Sequence, residues 1–145
     1  MMPSPESPAS AGGSAEHPDP AVARILGDFE DLTGILPESR GALWKLAEPG
    51  RQLDANLVHL PPGQHVGTHA EPDLDVLLLV VAGDGILGTT GHTLQLAKGT
   101  IVWLPHGSSR SIAAGDDGMS YLTVHQRRPG MRIKSRQEVA GADPT

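Results

Sequence analysis

The 145-residue sequence contains no cysteine and only four aromatic side chains, from two Trp, one Tyr and one Phe. The absence of cysteine excludes disulfides, zinc–thiolate sites, iron–sulfur clusters and a cysteine nucleophile. It also fits a reducing compartment, so we expect a cytoplasmic protein. Basic residues are few, since 11 Lys and Arg stand against 17 Asp and Glu, for a formal net charge of −6. This balance argues against a nucleic-acid partner, which a basic surface would attract.

Long apolar runs are also absent. The longest covers residues 76–82, far below the roughly 18 residues that a membrane span requires. The N-terminal residues show neither the positive region nor the apolar stretch of a signal peptide. We therefore expect no membrane association. The one basic cluster, residues 127–136, is interpreted as a solvated end of the chain.

Glycine and proline are abundant, at 18 and 13 residues, and they separate short apolar runs. This pattern predicts an antiparallel all-β domain with many tight connections. The length favours one such domain. Residues 1–20 are rich in Pro, Ser, Ala and Gly and offer too little apolar surface to offset the entropy of ordering. The sequence thus predicts four segments: a disordered tail (1–20), a short helical lead-in (21–40), a β-sandwich or barrel (41–135) and a C-terminal tail (136–145).

The lead-in carries four large apolar residues, Val22, Ile25, Leu26 and Phe29, at helical spacing. This periodicity predicts a short amphipathic helix that ends before Gly34. Asp19 is the expected N-cap, with a proline in the first turn. We expect the helix to pack on the outside of the β domain.

About nine strands are predicted after residue 41, a number typical of sandwiches and barrels. Residues 76–81 are apolar on both faces, as in a strand that lies between the core and a covering layer. Turns are predicted at residues 83–85 and 115–118, where glycines cluster. Trp44 and Trp103 are expected in the core or the barrel wall.

Two segments resemble the paired motifs of the cupin superfamily. The first motif reads Gly, five residues, His-x-His, three or four residues, Glu, six residues, Gly. Gly63 and His69 match this spacing. Glu71 stands at the second His position and Asp75 at the Glu position. The closing Gly83 comes one residue late.

The second motif reads Gly, five residues, Pro-x-Gly, two residues, His, three residues, Asn. Gly99, Pro105 and Gly107 match it without gaps. Arg110 stands at the His position and Ala114 at the Asn position. The resemblance covers residues 41–126 and implies an antiparallel jelly-roll β-barrel of the small, bacterial single-domain type.

The resemblance also implies a metal site, because enzymes of this family hold a divalent ion with the matched side chains. His69 and Glu71 share one face of a strand, since side chains repeat every second residue. With Asp75 they form a ligand set for Fe, Mn, Ni or Zn. His125 is a further candidate, although the pattern leaves open whether it faces inward. A metal-dependent dioxygenase, isomerase or decarboxylase is therefore one candidate function.

Arg110 favours a different function. A guanidinium offers no lone pair to a metal and stays protonated at working pH. If it faces inward, it replaces a ligand with a fixed positive charge, and Glu71 and Asp75 would pair with it. Its planar fork also suits a small molecule that carries a carboxylate or phosphate. Our first hypothesis is therefore a barrel that binds a small anion at Arg110, His69, Glu71 and Asp75, without a certain cofactor or an assigned catalytic residue.

A third hypothesis is a non-catalytic structural or interaction barrel. In each case we expect a homodimer, because edge strands with unpaired backbone groups favour association. Residues 43–46 or 53–59 are the expected interface.

Overall fold

The computed structural model describes residues 21–34 and 41–128. Within this part of the chain, seven strands follow one short helix, and all strand pairs are antiparallel. The elements are α1 (Phe29–Thr33), β1 (Gly41–Lys45), β2 (Leu53–Leu60), β3 (His65–Ala70), β4 (Val76–Thr89), β5 (His92–Ala97), β6 (Ile101–Leu104) and β7 (Ser109–Gln126). The described helix is too short to span a membrane. The predicted tails at 1–20 and 136–145 lie outside the described residues.

The helix of the lead-in begins later than its apolar spacing predicts. The backbone of Asp28 is extended, and its Oδ1 accepts a hydrogen bond from Glu30 N at 2.8 Å. This side chain therefore caps α1, whereas residues 22–28 are not helical. Ile25 is 91% exposed, whereas Leu26 and Phe29 are more than half buried, so the four apolar residues do not pack as one helical face. A helix through these residues was a wrong prediction, because an aspartate after Gly27 starts a helix better than it continues one.

The sheet folds over into two layers because β4 and β7 each run through both. The first layer contains β1, β2, residues 119–126, residues 76–82 and β6, in that order. The second layer contains β3, residues 109–114, residues 85–89 and β5. The core lies between the layers, where large side chains of both inner faces pack together, among them Leu60, Leu78, Val80, Leu87, Leu96, Ile112, Met119 and Tyr121. This is the antiparallel jelly-roll barrel that the resemblance implies.

The predicted turns at 83–85 and 115–118 are instead the corner at which β4 and β7 bend together. Gly83 pairs with Met119, and Gly85 pairs with Ala114. Residues 115–118 of β7 thus oppose a single residue of β4. A Cβ on Gly83 would lie 2.8 Å from the carbonyl carbon of Gly118. Strands β4 and β7 both continue through the corner without interruption. Seven strands therefore form where about nine were expected.

Trp103 lies on the outer face of β6 and is 59% exposed. Of the two places expected for it, the core or the barrel wall, Trp103 therefore lies in the wall. Trp44, on β1, is half-buried.

Candidate functional site

Three connections meet at one end of the barrel, namely residues 71–75, 90–91 and 105–108. The backbone of Gly107 donates to Glu71 O at 2.8 Å. Asp75 Oδ1 accepts from His106 N at 2.9 Å and lies 2.8 Å from Nδ1 of the same residue. The connection at 90–91 borders a cleft that the 105–108 turn also lines. We refer to this end as the barrel mouth.

Four polar side chains form a row across the inner face of the second layer, next to the mouth. His69 on β3 opposes Arg110 on β7, and Thr89 on β4 opposes His92 on β5. The register of β4 and β7 brings Thr89 beside Arg110. Directly opposed residues of a sheet share one face, so the four side chains lie side by side. One step deeper, the same strands present an apolar row: Val66, Ile112, Leu87 and Leu94.

Arg110 is the central member of this row, and only 4% of its surface is exposed. Its Nη1 donates to Ser108 O at 3.2 Å, which is the guanidinium's one hydrogen bond within the described residues. A guanidinium carries five N–H donors. Burial lowers the pKa of Arg110, while the nearby charge of Glu71 raises it. Arg110 is therefore a buried cation with more N–H donors than the described residues provide acceptors for.

The two carboxylates expected beside Arg110 bond elsewhere. Glu71 Oε1 pairs with Arg128 Nη2 at 2.6 Å, and Oε2 accepts from Asp73 N at 3.1 Å. Asp75 pairs with His106, and hydrogen bonds from the ring and then from the backbone of His106 lower the pKa of Asp75. No ion pair between Arg110 and either acid is found in the described residues. The bidentate pair that the sequence suggested is thus not formed.

The sequence reasoning missed both partners. Arg128 lies in the basic cluster interpreted as a solvated end, and His106 in a turn. Neither position carries a local signal, because these contacts span 57 and 31 residues of sequence. Thr89 and His92 belong to the hairpin of β4 and β5, but their position beside Arg110 depends on the pairing of β4 with β7.

Two of the candidate histidines, His69 and His125, have local backbone partners. His69 Nδ1 lies 3.0 Å from Gly67 O. His125 belongs to the inner face of the first layer, because Tyr121 and Thr123 of the same strand face are buried. Its Nδ1 lies 2.9 Å from its neighbour's carbonyl, Gln126 O.

A divalent metal does not fit this arrangement of side chains. In the part of the chain that the structure describes, no three His, Asp or Glu side chains are grouped so that they could hold an ion. Arg110 occupies a matched ligand position and has no lone pair to donate. Glu71 and Asp75 are each paired with a cationic or hydrogen-bonding partner. The set His69, Glu71 and Asp75, with His125, stays a prediction that metal analysis must test.

An open cleft of about 400 Å³ lies between the edge strands β5 and β6. Its volume falls within the range of small-molecule sites. The cleft shares Thr89 and His92 with the polar row, and Leu94 and Trp103 add apolar walls. Arg110 does not line it, but Ser108, which accepts the Arg110 hydrogen bond, does. The cleft and the buried guanidinium are therefore adjacent.

Solved structures resemble this fold. KdgF from Halomonas sp. superposes with a TM-score of 0.54 at 20% identity, over 62% of this chain and 78% of that one. A cupin-2 domain protein from Shewanella frigidimarina gives 0.57 at 15% identity, over 70% and 95%. A sugar phosphate isomerase of the cupin superfamily from Silicibacter pomeroyi gives 0.55 at 23% identity, over 63% and 61%.

Comparisons with protein-family models and with curated proteins find no match. The likenesses in structure nevertheless agree with the layers described above. The chain has the cupin fold. Identities this low establish the fold alone.

Proposed function

We propose that this cupin barrel binds a small molecule that carries a carboxylate or a phosphate, with Arg110 as the principal anion-binding group and His69 beside it. The observation that supports the proposal is the burial of Arg110 with one described hydrogen bond. An inward guanidinium with free donors presents the fork that matches carboxylate and phosphate oxygens.

The energetics of burial support the same function. A buried charge is costly unless an opposite charge and hydrogen bonds compensate for it. Glu71 compensates in part, since its charge raises the pKa of Arg110. However, both oxygens of Glu71 already have partners in Arg128 and Asp73. An anion that enters the mouth would supply the missing acceptors.

The surroundings of Arg110 indicate how the rest of the ligand is held. Thr89 and His92 provide a hydroxyl and an imidazole in the same row. The apolar residues Leu87 and Leu94 lie one step deeper, and the adjacent cleft offers about 400 Å³. A small anion with an apolar or ring-shaped body would use both features.

Thermal unfolding with a panel of anions tests the proposal. Acetate, benzoate and inorganic phosphate are compared with chloride at equal ionic strength. A ligand at 100 times its Kd stabilises the folded state by about 2.7 kcal/mol, which corresponds to a rise in Tm on the order of 5–10 °C for a domain of this size. We expect at least one carboxylate or phosphate to raise the Tm of the wild type.

The variant Arg110→Met keeps the apolar stem but removes the charge, and it should abolish the shift. Arg110→Lys keeps the charge without the fork and should weaken the shift. The matched control is Arg127→Met, because Arg127 is exposed and should respond as the wild type does. If Arg110→Met retains the full response, or if no anion shifts the wild type, the proposal fails.

Metal analysis separates this function from the metal-dependent enzyme. Protein purified without chelators should contain no stoichiometric Fe, Mn, Ni or Zn if the mouth is an anion site. Stoichiometric metal that is lost in His69→Ala would overturn the proposal in favour of the enzyme. A protein indifferent to both anions and metals would match the structural barrel.

A further inference from the structure

The backbone at the end of β3 brings the carboxylate of Glu71 close to the buried guanidinium. His69 on β3 opposes Arg110 on β7. The two chains stay together beyond this pair, because Gly107 N donates to Glu71 O at 2.8 Å. The next residue, Ser108, has the carbonyl that accepts the Arg110 hydrogen bond. Glu71 and the guanidinium therefore both contact the 107–108 backbone.

The electrostatics agree with this proximity. Burial lowers the pKa of Arg110, and the charge of Glu71 opposes that effect. Opposite charges attract one another strongly where water is excluded. Even so, no hydrogen bond or ion pair joins these two side chains within the described part of the chain. Glu71 is thus an anion near Arg110 that is not bonded to it.

Arg128 holds the carboxylate of Glu71 in a different contact. Its Nη2 lies 2.6 Å from Glu71 Oε1, and the backbone N–H of Asp73 donates to Oε2 at 3.1 Å. The Asp73 bond is local, whereas Arg128 arrives from the end of β7, 57 residues away. The side chain of Arg128 is 51% exposed, and that of Glu71 only 20%. A substitution at Arg128 therefore releases one carboxylate oxygen without altering the 71–73 turn or the core.

We propose that Arg128 is a positioning residue for the anion site, because by binding Glu71 it keeps that carboxylate away from Arg110 and leaves the guanidinium open to a ligand. The inference rests on the proposed function, since it concerns how the same site is kept available. It adds a role for a side chain that does not itself contact the ligand. Without Arg128, the Glu71 side chain changes rotamer and pairs with Arg110, because a sheltered carboxylate and a buried guanidinium stabilise one another.

The size of the effect follows from the populations of two states. In the open state Glu71 is bound to Arg128, and in the closed state it is bound to Arg110. A ligand that binds only the open state has an apparent Kd equal to its intrinsic Kd divided by the open fraction. A variant in which about a tenth of the molecules are open therefore binds about tenfold more weakly.

Anion titration of the full chain tests the proposal. Benzoate and inorganic phosphate are the probes, at equal ionic strength, and isothermal titration calorimetry gives the Kd. Arg128→Met should raise the Kd about tenfold. Arg128→Lys keeps a cation for Glu71 and should stay within about threefold of the wild type. The matched control is Arg127→Met, since Arg127 is the exposed neighbour with the same charge, and it should keep the wild-type Kd.

A second substitution distinguishes a positioning residue from a direct contact to the ligand. Glu71→Gln removes the competing charge, so it should bind the probe at least as tightly as the wild type. In that background, Arg128→Met should have no further effect. A direct contact from Arg128 to the anion would instead weaken binding equally with and without Glu71→Gln. That result, or an unchanged Kd in Arg128→Met alone, would overturn the proposal while leaving the anion site intact.

The ligand-free protein offers a readout that does not depend on anion binding. Arg128→Met should shift the Nε–Hε NMR resonance of Arg110, because Glu71 then pairs with it, and adding Glu71→Gln should abolish the shift. An Arg110 resonance that ignores Arg128→Met would contradict the closed state. A wild type that binds neither probe would overturn the proposed function, and this inference with it. Circular dichroism of each variant verifies that it is folded.

Discussion

The corner where β4 and β7 bend together should make the protein's stability far more sensitive to alanine at Gly83 than at Gly91. Gly83 and Gly91 both have positive φ angles, of 75° and 89°. A Cβ on Gly83 would meet the backbone of Gly118, with the carbonyl carbon at 2.8 Å and Met119 Cα at 3.0 Å. A Cβ on Gly91 would meet nothing within 4 Å. Both Gly83→Ala and Gly91→Ala therefore place alanine at a positive φ angle, but only Gly83→Ala also causes a steric clash.

The shared cost is conformational, because alanine in the left-handed region loses about 1–2 kcal/mol. The additional cost at Gly83 is steric. Backbone atoms cannot rotate away as a side chain would, and forcing a methyl group into a packed region costs about 1–3 kcal/mol more. We expect Gly91→Ala to lower the free energy of unfolding by about 1–2 kcal/mol and Gly83→Ala by about 2–5 kcal/mol.

Urea unfolding followed by far-ultraviolet circular dichroism measures both losses. The two variants should have the wild-type m-value, so that a change in midpoint reports stability alone. Equal losses in the two variants would refute the close crossing of β4 and β7. A folded Gly83→Ala variant as stable as the wild type would do the same.

Three other predictions concern the core and two titrating side chains. Leu78→Ala removes a fully buried side chain and should cost about 2–5 kcal/mol in urea unfolding, whereas Leu94→Ala, at 42% exposure, should cost clearly less. Hydrogen bonds from His106 lower the pKa of Asp75. The pair therefore stabilises the folded state fully at pH values above the ordinary pKa of aspartate, and this stabilisation is lost as the pH falls through the lowered pKa. NMR titration of the carboxyl should show this lowered pKa, and His106→Ala should return it toward normal. Burial lowers the pKa of His59, so protonation favours the unfolded chain. Stability should then fall as the pH drops below about 6.5, and a His59→Asn variant with the same pH slope between 7 and 5 would contradict this.

The layered β fold could be predicted from the sequence because its signals are local. Alternating apolar residues identify strands such as 53–60, and turns rich in glycine and proline separate these strands. The corner could not be predicted, since a glycine with positive φ serves a tight turn and a bend in a paired strand equally well. Only the register, with Gly83 opposite Met119, distinguishes the two. The late start of α1 reflects a similar competition, in which the cap at Asp28 prevails over apolar spacing.

For the candidate site too, one feature could be predicted from the sequence and others could not. The position of Arg110 in the second motif led to the expectation of an inward guanidinium, and the structure buries that side chain. The partners of Glu71 and Asp75 could not be inferred, because they arrive from Arg128 and His106 through the closure of the barrel. Sequence spacing predicts which residues share a strand face, but it does not predict which side chain from a distant part of the sequence forms a contact with them.

The most direct test of the central claim is the NMR signal of the Arg110 side chain. Titration of the full chain with benzoate or inorganic phosphate should shift its Nε–Hε resonance with saturation, while the resonance of exposed Arg127 should stay within the drift caused by chloride. Saturable shifts confined to Arg110 and its neighbours, such as His69, are the result we predict. An Arg110 resonance that moves no more than that of Arg127 for any carboxylate or phosphate would contradict an anion site in this barrel.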